Sequence, residues 1–311
     1  MKILVSGANG FIGRALCPYL ASRDYTVVPA VRRAHHLATE YVVDSQAAWQ
    51  NALQGCDSVV HLAGRAHVMQ DTAENPLQVF RAVNVDATLA LAQRCVDAGV
   101  RRFIFMSTIK VNGECTAEGM RFSPHDTPAP QDPYAISKWE AELGLRAIAK
   151  ASGLEVVTIR PPLVYGPHVK GNMATLIHGV TSGFPLPLGA VNNRRSMIAL
   201  DNLISFIALC ADPVASPRAA GEVFTVCDGE DVSTTELLRK IAWTHACPSR
   251  LLPVPTRLLR LVAKLLGKSG AADRLLGSLA IDNAYACELL GWRPEISMND
   301  QLRKMADAAS H

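Results

Sequence analysis

Lys2-Ile-Leu-Val-Ser6-Gly7-Ala-Asn-Gly10-Phe11-Ile12-Gly13 joins a short apolar run to three glycines spaced three residues apart. A segment with helical periodicity, 13–23, follows directly. In that order the residues read as a buried strand, a tight turn and a helix. Glycines let the backbone come close to a pyrophosphate, and the free N–H groups of the helix's first turn meet its charge. A glycine triplet alone is a plain turn; placed between strand and helix it points to a dinucleotide.

The same rhythm continues outward. Residues 26–31 and 41–44 read as strands, 57–63 as a strand entering a glycine turn, 76–98 as a long helix and 102–107 as another strand. Strand and helix in alternation predict an α/β fold, a doubly wound parallel sheet of Rossmann type with helices on both faces. Ligands of such sheets lie beyond the carboxyl ends of the strands. After the strand 156–160, prolines and glycines crowd 161–189 and apolar helices follow. Ser233-Thr-Thr-Glu236 is a capping box that starts one of them. The expected division is a dinucleotide-binding domain over 1–166 and a smaller C-terminal substrate domain over 167–311. Residues 196–229, a helix and a strand, are expected to return to the main sheet.

The 311 residues are 49% hydrophobic and 19% charged, which excludes a disordered chain. Lysine and arginine number 31 against 28 acids, a net charge of +3, too small an excess for a binder of nucleic-acid phosphates. Eight scattered cysteines contain no C-x-x-C pair and read as buried thiols of a reducing compartment. The longest uncharged apolar run, 203–211, falls short of the roughly 18 residues a membrane span needs. With no signal-peptide core at the amino terminus, a cytoplasmic location is expected. His, Cys and carboxylate spacings suggest no metal.

Tyr134 and Lys138 stand four apart, on one face of a helix. Alone, such a pair is usually solvated surface. Beside each other they make an acid–base couple, because an ammonium favours the phenolate and draws the phenol's pKa down from about 10. His61 reads as a core histidine, and His35 and His36 as solvated loop residues.

The glycine turn, with His61-Leu62-Ala63-Gly64, Asn84-Val-Asp-Ala-Thr88, Phe105-Met-Ser-Thr108, Pro133-Tyr-Ala-Ile-Ser-Lys138 and Arg160-Pro161-Pro-Leu-Val-Tyr-Gly-Pro167 in order, resembles the extended branch of the short-chain dehydrogenase/reductases, the NAD-dependent epimerase/dehydratase family. The resemblance runs the whole length and implies a catalytic set of Thr108, Tyr134 and Lys138. Thr108 would bind the reacting oxygen, with Ser107 the alternative if the register slips by one. Lys138 would also hold the nicotinamide ribose. Cofactor contacts are implied for Gly7, Gly10, Phe11, Ile12, Gly13, Arg32, Arg33, Asp44, Leu62, Ala63, Gly64, Asn84, Tyr134, Lys138 and Pro161. Asn84 belongs to the helix that steadies the centre in the family. Substrate contacts are implied for Thr108, Lys110, Asn172, Arg194, Arg195 and Arg274, the arginines for a diphosphate that their planar forks suit.

NAD-preferring relatives carry an acid about 20 residues beyond the glycines. Here Val31 stands in its place, followed by Arg32 and Arg33. Guanidinium groups suit a 2′-phosphate, so NADP(H) is expected, with NAD(H) possible. Arg257, Arg260, Lys264 and Lys268 share one face of a helix over 256–268, opposite Leu258, Leu261, Val262 and Leu265. Such a helix suits a membrane surface or simply the outside of the small domain, and the second is expected.

Three activities fit the pattern: reduction of a nucleotide-linked 4-keto-sugar, 4-epimerisation with retained NAD, and a non-catalytic dinucleotide sensor or scaffold. A sensor has no need of Thr108, Tyr134 and Lys138. A dehydratase adds an acid pair beside the threonine, where this chain has Ile109 and Lys110. Ser107 to Glu114, Gln131 to Tyr134, Pro185 to Ala190 and Asn193 to Ser196 most resemble bacterial reductases of UDP-4-keto-6-deoxy-N-acetylglucosamine, which serve surface polysaccharide and O-antigen synthesis. Close relatives of these are often called UDP-glucose 4-epimerases. The expected substrate is thus a UDP-linked sugar, and the expected assembly a homodimer.

Overall fold

A computed structural model describes residues 1–32, 41–66, 75–267 and 269–309. Its first half alternates as the sequence predicts. Strand β1 (Lys2–Ser6), helix α1 (Phe11–Ala21), β2 (Thr26–Val31), β3 (Tyr41–Val42), α2 (Gln46–Leu53) and β4 (Ser58–His61) come first. Then follow α3 (Pro76–Arg81), α4 (Ala87–Asp97), β5 (Arg102–Met106), α5 (Pro133–Ser152) and β6 (Glu155–Arg160). The second half holds β7 (Leu163–Tyr165), α6 (Asn172–Thr181), β8 (Arg195–Ala199), α7 (Leu200–Ala211), β9 (Val223–Thr225) and β10 (Asp231–Val232). Helices α8 (Thr234–Thr244), α9 (Thr256–Leu265), α10 (Ser269–Leu276), α11 (Ala284–Leu290) and α12 (Met298–Ala309) complete it.

Seven strands form one sheet in the order β3-β2-β1-β4-β5-β6-β9, every pair parallel. The chain winds outward in opposite directions from β1 and β4. That reversal opens a crevice at their carboxyl ends, where Ser6 lies level with His61. The strands are apolar on both faces because both are covered. Val5, Val60 and Ile104 pack under Leu16 and Leu20 of α1 and Leu203 and Phe206 of α7. Leu4, Val59 and Phe103 pack under Leu53 of α2, Leu91 of α4 and Leu145 of α5.

The helix expected over 76–98 is interrupted. Ala82–Asp86 form a π-turn between α3 and α4, and Asn84 within it is fully buried. Such widened turns occur often at functional sites.

The expected domain division changes in three places. Residues 195–199, where the stretch read as a returning helix begins, form strand β8 instead, which pairs with β7 and β10 in a second sheet of three strands. The return begins only at α7 and β9. Strand β7 lies in this second sheet too, although it precedes residue 166. And Tyr285 and Ala286 of α11, with Trp292, pack into the main-sheet core, so 167–311 is not one separate lobe. Tyr165, Met197, Leu238, Ile241 and Leu302 make the smaller core.

All eight cysteines are free; Cys56, Cys95, Cys210 and Cys227 are buried as expected, whereas Cys115 is exposed. Among the described residues no helix is long and apolar enough to cross a membrane, and no three His, Cys, Asp or Glu side chains gather as a metal site.

Candidate active site

Three segments meet at the crevice: the glycine turn after β1, the loop after β4 and the first turns of α5. Gly7 has φ +72°, and a side-chain carbon there would stand 2.8 Å from the Ala63 nitrogen. One at Gly13 would stand 2.7 Å from the Ala8 Cα. Only glycine permits this approach. Helix α1 starts at Gly10 with no side-chain cap and no acid in its first turn, so the N–H groups of Phe11, Ile12 and Gly13 lack intrahelical partners. An uncapped, acid-free helix start beneath a glycine turn fits a dinucleotide pyrophosphate.

At the end of β2 the Gly7 N–H donates to the Ala30 carbonyl at 3.1 Å. Val31 is buried there and Arg32 exposed, while Arg33, like His35 and His36, lies outside the described residues. Asp44 is exposed just past β3. On the other side, Leu62 donates to Ser6 at 3.1 Å, and the carbonyl of buried Pro161 accepts from Ile109 at 3.0 Å.

Helix α5 delivers the reactive groups. Asp132 caps it through Ala135 N–H at 2.7 Å, Pro133 occupies its first turn, and Gly153 at φ +79° ends it. Thr108 lies on the side of the Tyr134 phenol, where its hydroxyl lowers the phenol's pKa. Ser107 turns the other way and donates to Glu142 Oε1 at 2.6 Å in the core. In the structure, then, Thr108 and not Ser107 faces the phenol.

The electrostatics differ from the sequence expectation. Burial and then the Asp132 charge push the Tyr134 phenol up to about 12, and the Thr108 hydroxyl only partly opposes them. Burial pushes Lys138 down to about 8 against the pull of Glu142. The Lys138 ammonium donates to the Met106 carbonyl at 2.8 Å and lies 4.7 Å from the Phe105 ring centre. Its charge is engaged there, so the phenol is not drawn downward. Tyr134 holds its proton at neutral pH, the state of a proton donor.

A layer of positioning groups stands behind these residues. Glu142, one turn beyond Lys138, accepts from Arg160 Nε at 2.9 Å and Nη2 at 2.5 Å, and Arg160 Nη1 donates to Asn112 Oδ1 at 3.0 Å. Arg160 opens the sixth quoted motif and Glu142 extends the Tyr–Lys spacing by four, signals that sequence reasoning left without a role. Asn84, expected to touch the cofactor, spends its amide inside the protein. Its oxygen accepts from Arg65 N–H at 2.8 Å, and its nitrogen donates to Arg65 O at 3.1 Å and Ser137 Oγ at 3.0 Å. Ser137 in turn donates to the Tyr134 carbonyl at 2.7 Å. Asn84 thereby ties the loop after β4 to α5. His61 sits between Ser6 Oγ (2.6 Å) and Thr88 Oγ1 (3.0 Å), as a core histidine should. Burial, aided by the Lys138 charge, depresses its pKa to about 3.

Two residues on from Thr108, Lys110 pairs with Glu114 at 2.9 Å and Asp132 at 2.5 Å. Arg194 and Arg195 separate. Arg195 is half-buried, donates to the Gly277 carbonyl at 3.0 Å and feels the charge of Glu114. Arg194 is exposed and pairs with Asp231 at 3.0 Å, an acid it shares with Arg121. Adjacent residues of a strand point to opposite faces, which divides the pair. Asn172 opens α6 and Arg274 lies on α10, both exposed. Among the described residues no contact joins either to the catalytic group.

Residues 3–227 match the NAD dependent epimerase/dehydratase family. A protein of Vibrio cholerae named UDP-glucose 4-epimerase is 43% identical over 314 residues, 99% of this chain and 95% of that one. An Escherichia coli O157:H7 protein named N-acetyl-alpha-D-glucosaminyl-diphospho-ditrans,octacis-undecaprenol 4-epimerase is 29% identical, covering 88% of this chain and 83% of its own. The fold is that of the UDP-glucuronic acid 4-epimerase of Bacillus cereus, solved with NAD, at a TM-score of 0.78, 22% identity and coverage of 100% and 99%.

The His61 shift has a measurable consequence. The unfolded chain binds this proton near pH 6.5, whereas the folded chain refuses it until about pH 3. Between those values unfolding takes up a proton, so stability falls as pH falls, by up to roughly 1.4 kcal/mol per unit. Urea unfolding of wild type and His61→Asn across this range should show the acid-side slope reduced in the variant. An unchanged slope contradicts the assignment.

Proposed function

The chain belongs to the NAD dependent epimerase/dehydratase family, and on that premise we propose that it reduces the C4 ketone of a UDP-4-keto-6-deoxy-N-acetylhexosamine, with NADPH as the reductant. What carries this reading is the end of β2. A buried valine, Val31, stands where a ribose-binding acid would repel a 2′-phosphate, and exposed Arg32 follows it. An enzyme that consumes a hydride in each turnover must exchange its cofactor and gains from drawing on the NADPH pool.

The residues for the cofactor divide by position. Gly7, Gly10, Phe11, Ile12 and Gly13 would hold the pyrophosphate at the start of α1. Arg32, Arg33 and Asp44 would hold the adenosine end, and Leu62, Ala63, Gly64, Pro161 and Lys138 the nicotinamide end. Bound there, the reduced nicotinamide supplies the hydride for C4. Tyr134 then gives its phenolic proton to the developing C4 oxygen, so that ketone, hydride and proton sum to the alcohol. Thr108 donates a hydrogen bond to the same oxygen. Lys138 supplies the positive field that favours the phenolate left behind, a contribution strongest where water is excluded. A phenol raised to about 12 enters this step fully protonated. Arg195 would meet the substrate diphosphate and Lys110 the sugar.

A second reading, 4-epimerisation with tightly held NAD, is favoured by the 43% identity to the protein named UDP-glucose 4-epimerase. The two readings separate in one assay. Purified protein given UDP-4-keto-6-deoxy-N-acetylglucosamine should oxidise one NADPH per sugar reduced. Bound NAD on purification, with interconversion of UDP-glucose or UDP-N-acetylglucosamine C4 epimers in the absence of reductant, would establish the epimerase.

Two further outcomes are expected. Tyr134→Phe should lower turnover by about 10²-fold or more with cofactor binding retained; near-normal turnover would remove Tyr134 as the donor. Replacing Arg32 and Arg33 by alanine should raise the KM for NADPH well above any change for NADH. Equal changes would take the 2′-phosphate from these arginines.

A further inference from the structure

Helix α9 carries its apolar side chains outward. Leu258, Leu261, Val262 and Leu265 are 50, 54, 45 and 78% exposed, Leu266 just beyond is 65% exposed, and the helix has no buried residue. At 100° per residue these five side chains fall within an arc of about 140°. Arg257 and Lys264 border that arc and Arg260 lies next to them, while the helix contains no acid. Arg260 pairs with Asp273 of α10 at 3.1 Å; among the described residues Arg257 and Lys264 form no ion pair. The half-buried Leu259 and Ala263 lie on the remaining side, and α9 packs on α10. The expected surface helix is therefore present, but its leucines face solvent instead of the small domain.

We propose that α9 docks this protein on an anionic lipid bilayer. Leucines on one face suit the boundary between acyl chains and headgroups. The bordering cations reach phosphates from long apolar stems, and each is drawn by a negatively charged leaflet. Charge argues against a second copy as the occupant. Two such strips face to face would gather six cations with only two Asp273 carboxylates to offset them. The position of the helix gives docking a consequence. Helix α10 runs into Leu275 and Gly277, whose carbonyls accept from Asn193 Nδ2 at 3.1 and 2.9 Å, and Gly277 accepts also from Arg195. A docked α9 thus holds the loop with the candidate diphosphate arginine close to the lipid surface. This proposal does not depend on which sugar reaction the site performs.

The test is co-sedimentation of the full chain with vesicles of phosphatidylcholine alone or with about a quarter phosphatidylglycerol. The wild type should sediment with the anionic vesicles, and added salt should weaken the association. Leu261→Glu with Leu265→Glu should bind roughly tenfold more weakly or worse, with an unchanged circular dichroism spectrum. Arg257→Glu with Lys264→Glu keeps every leucine and should show a similar loss, which decides the matter if the first variant fails to fold. No sedimentation of the wild type, or variants that sediment like it, would overturn the proposal. So would a solution dimer that the leucine variant converts to monomer, since that assigns the strip to a second copy.

Discussion

The buried pair of Glu142 and Arg160 holds the site together. Glu142 belongs to α5, Arg160 ends β6, and the serine bonded to Glu142 follows β5. One carboxylate therefore fixes the carboxyl ends of two neighbouring strands against the helix that carries Tyr134 and Lys138. Both partners are almost fully inaccessible to water. Such a pair contributes little over an apolar replacement, but losing one partner strands a charge, at a cost of about 3–5 kcal/mol. Its value here is geometric. With Ser107 held by Glu142, the next side chain, Thr108, faces the phenol, as the alternation of extended backbone requires.

Burial acts on the two reactive groups in opposite directions and toward the same end. It disfavours the charged form of each, raising the phenol and lowering the ammonium. A hydroxyl kept as a donor beside an ammonium lowered to about 8, still charged at neutral pH, suits a step in which an oxygen accepts a proton. The Met106 carbonyl and the Phe105 ring hold Lys138 back from the phenol. His61, one strand over, is forced neutral by the same dry environment and does purely structural work between Ser6 and Thr88. Three titratable groups share this centre, and solvent exclusion sets the protonation state of each before any ligand arrives.

The outer parts of the molecule follow a different logic. The second sheet carries Arg195, which bonds to Gly277 and feels the charge of Glu114 in the loop after β5, while Arg194 turns to Asp231, an acid shared with Arg121. The α9–α10 hairpin is joined to this region through backbone carbonyls and carries an apolar face that the described residues leave uncovered. Precision lies on the sheet, where strand ends hold side chains rigidly, and adaptability lies on the hairpin.

Local pattern alone determined the glycine turn, the strand–helix alternation, the start and end of α5 and the four-residue spacing of Tyr134 and Lys138. Each depends on backbone preferences and periodicity within a few residues: Asp132 and Pro133 open α5 and Gly153 closes it whatever lies around them. The tertiary structure decided what depends on a distant partner. Residues 195–199 run straight into α7 and read as part of its helix; only pairing with β7 and β10 makes them strand β8. That Arg195 turns inward to Gly277 and Arg194 outward to Asp231 follows from that pairing, and that Asn84 serves Arg65 and Ser137 follows from the π-turn. Lys138 finds Met106 and not the phenol because strand β5 ends beside it. The amphipathic pattern of α9 was plain, but its apolar face is left to solvent because, among the described residues, no other element reaches it. Short-range order can be written in neighbouring residues; the choice among equally apolar partners is made only when the whole chain has packed.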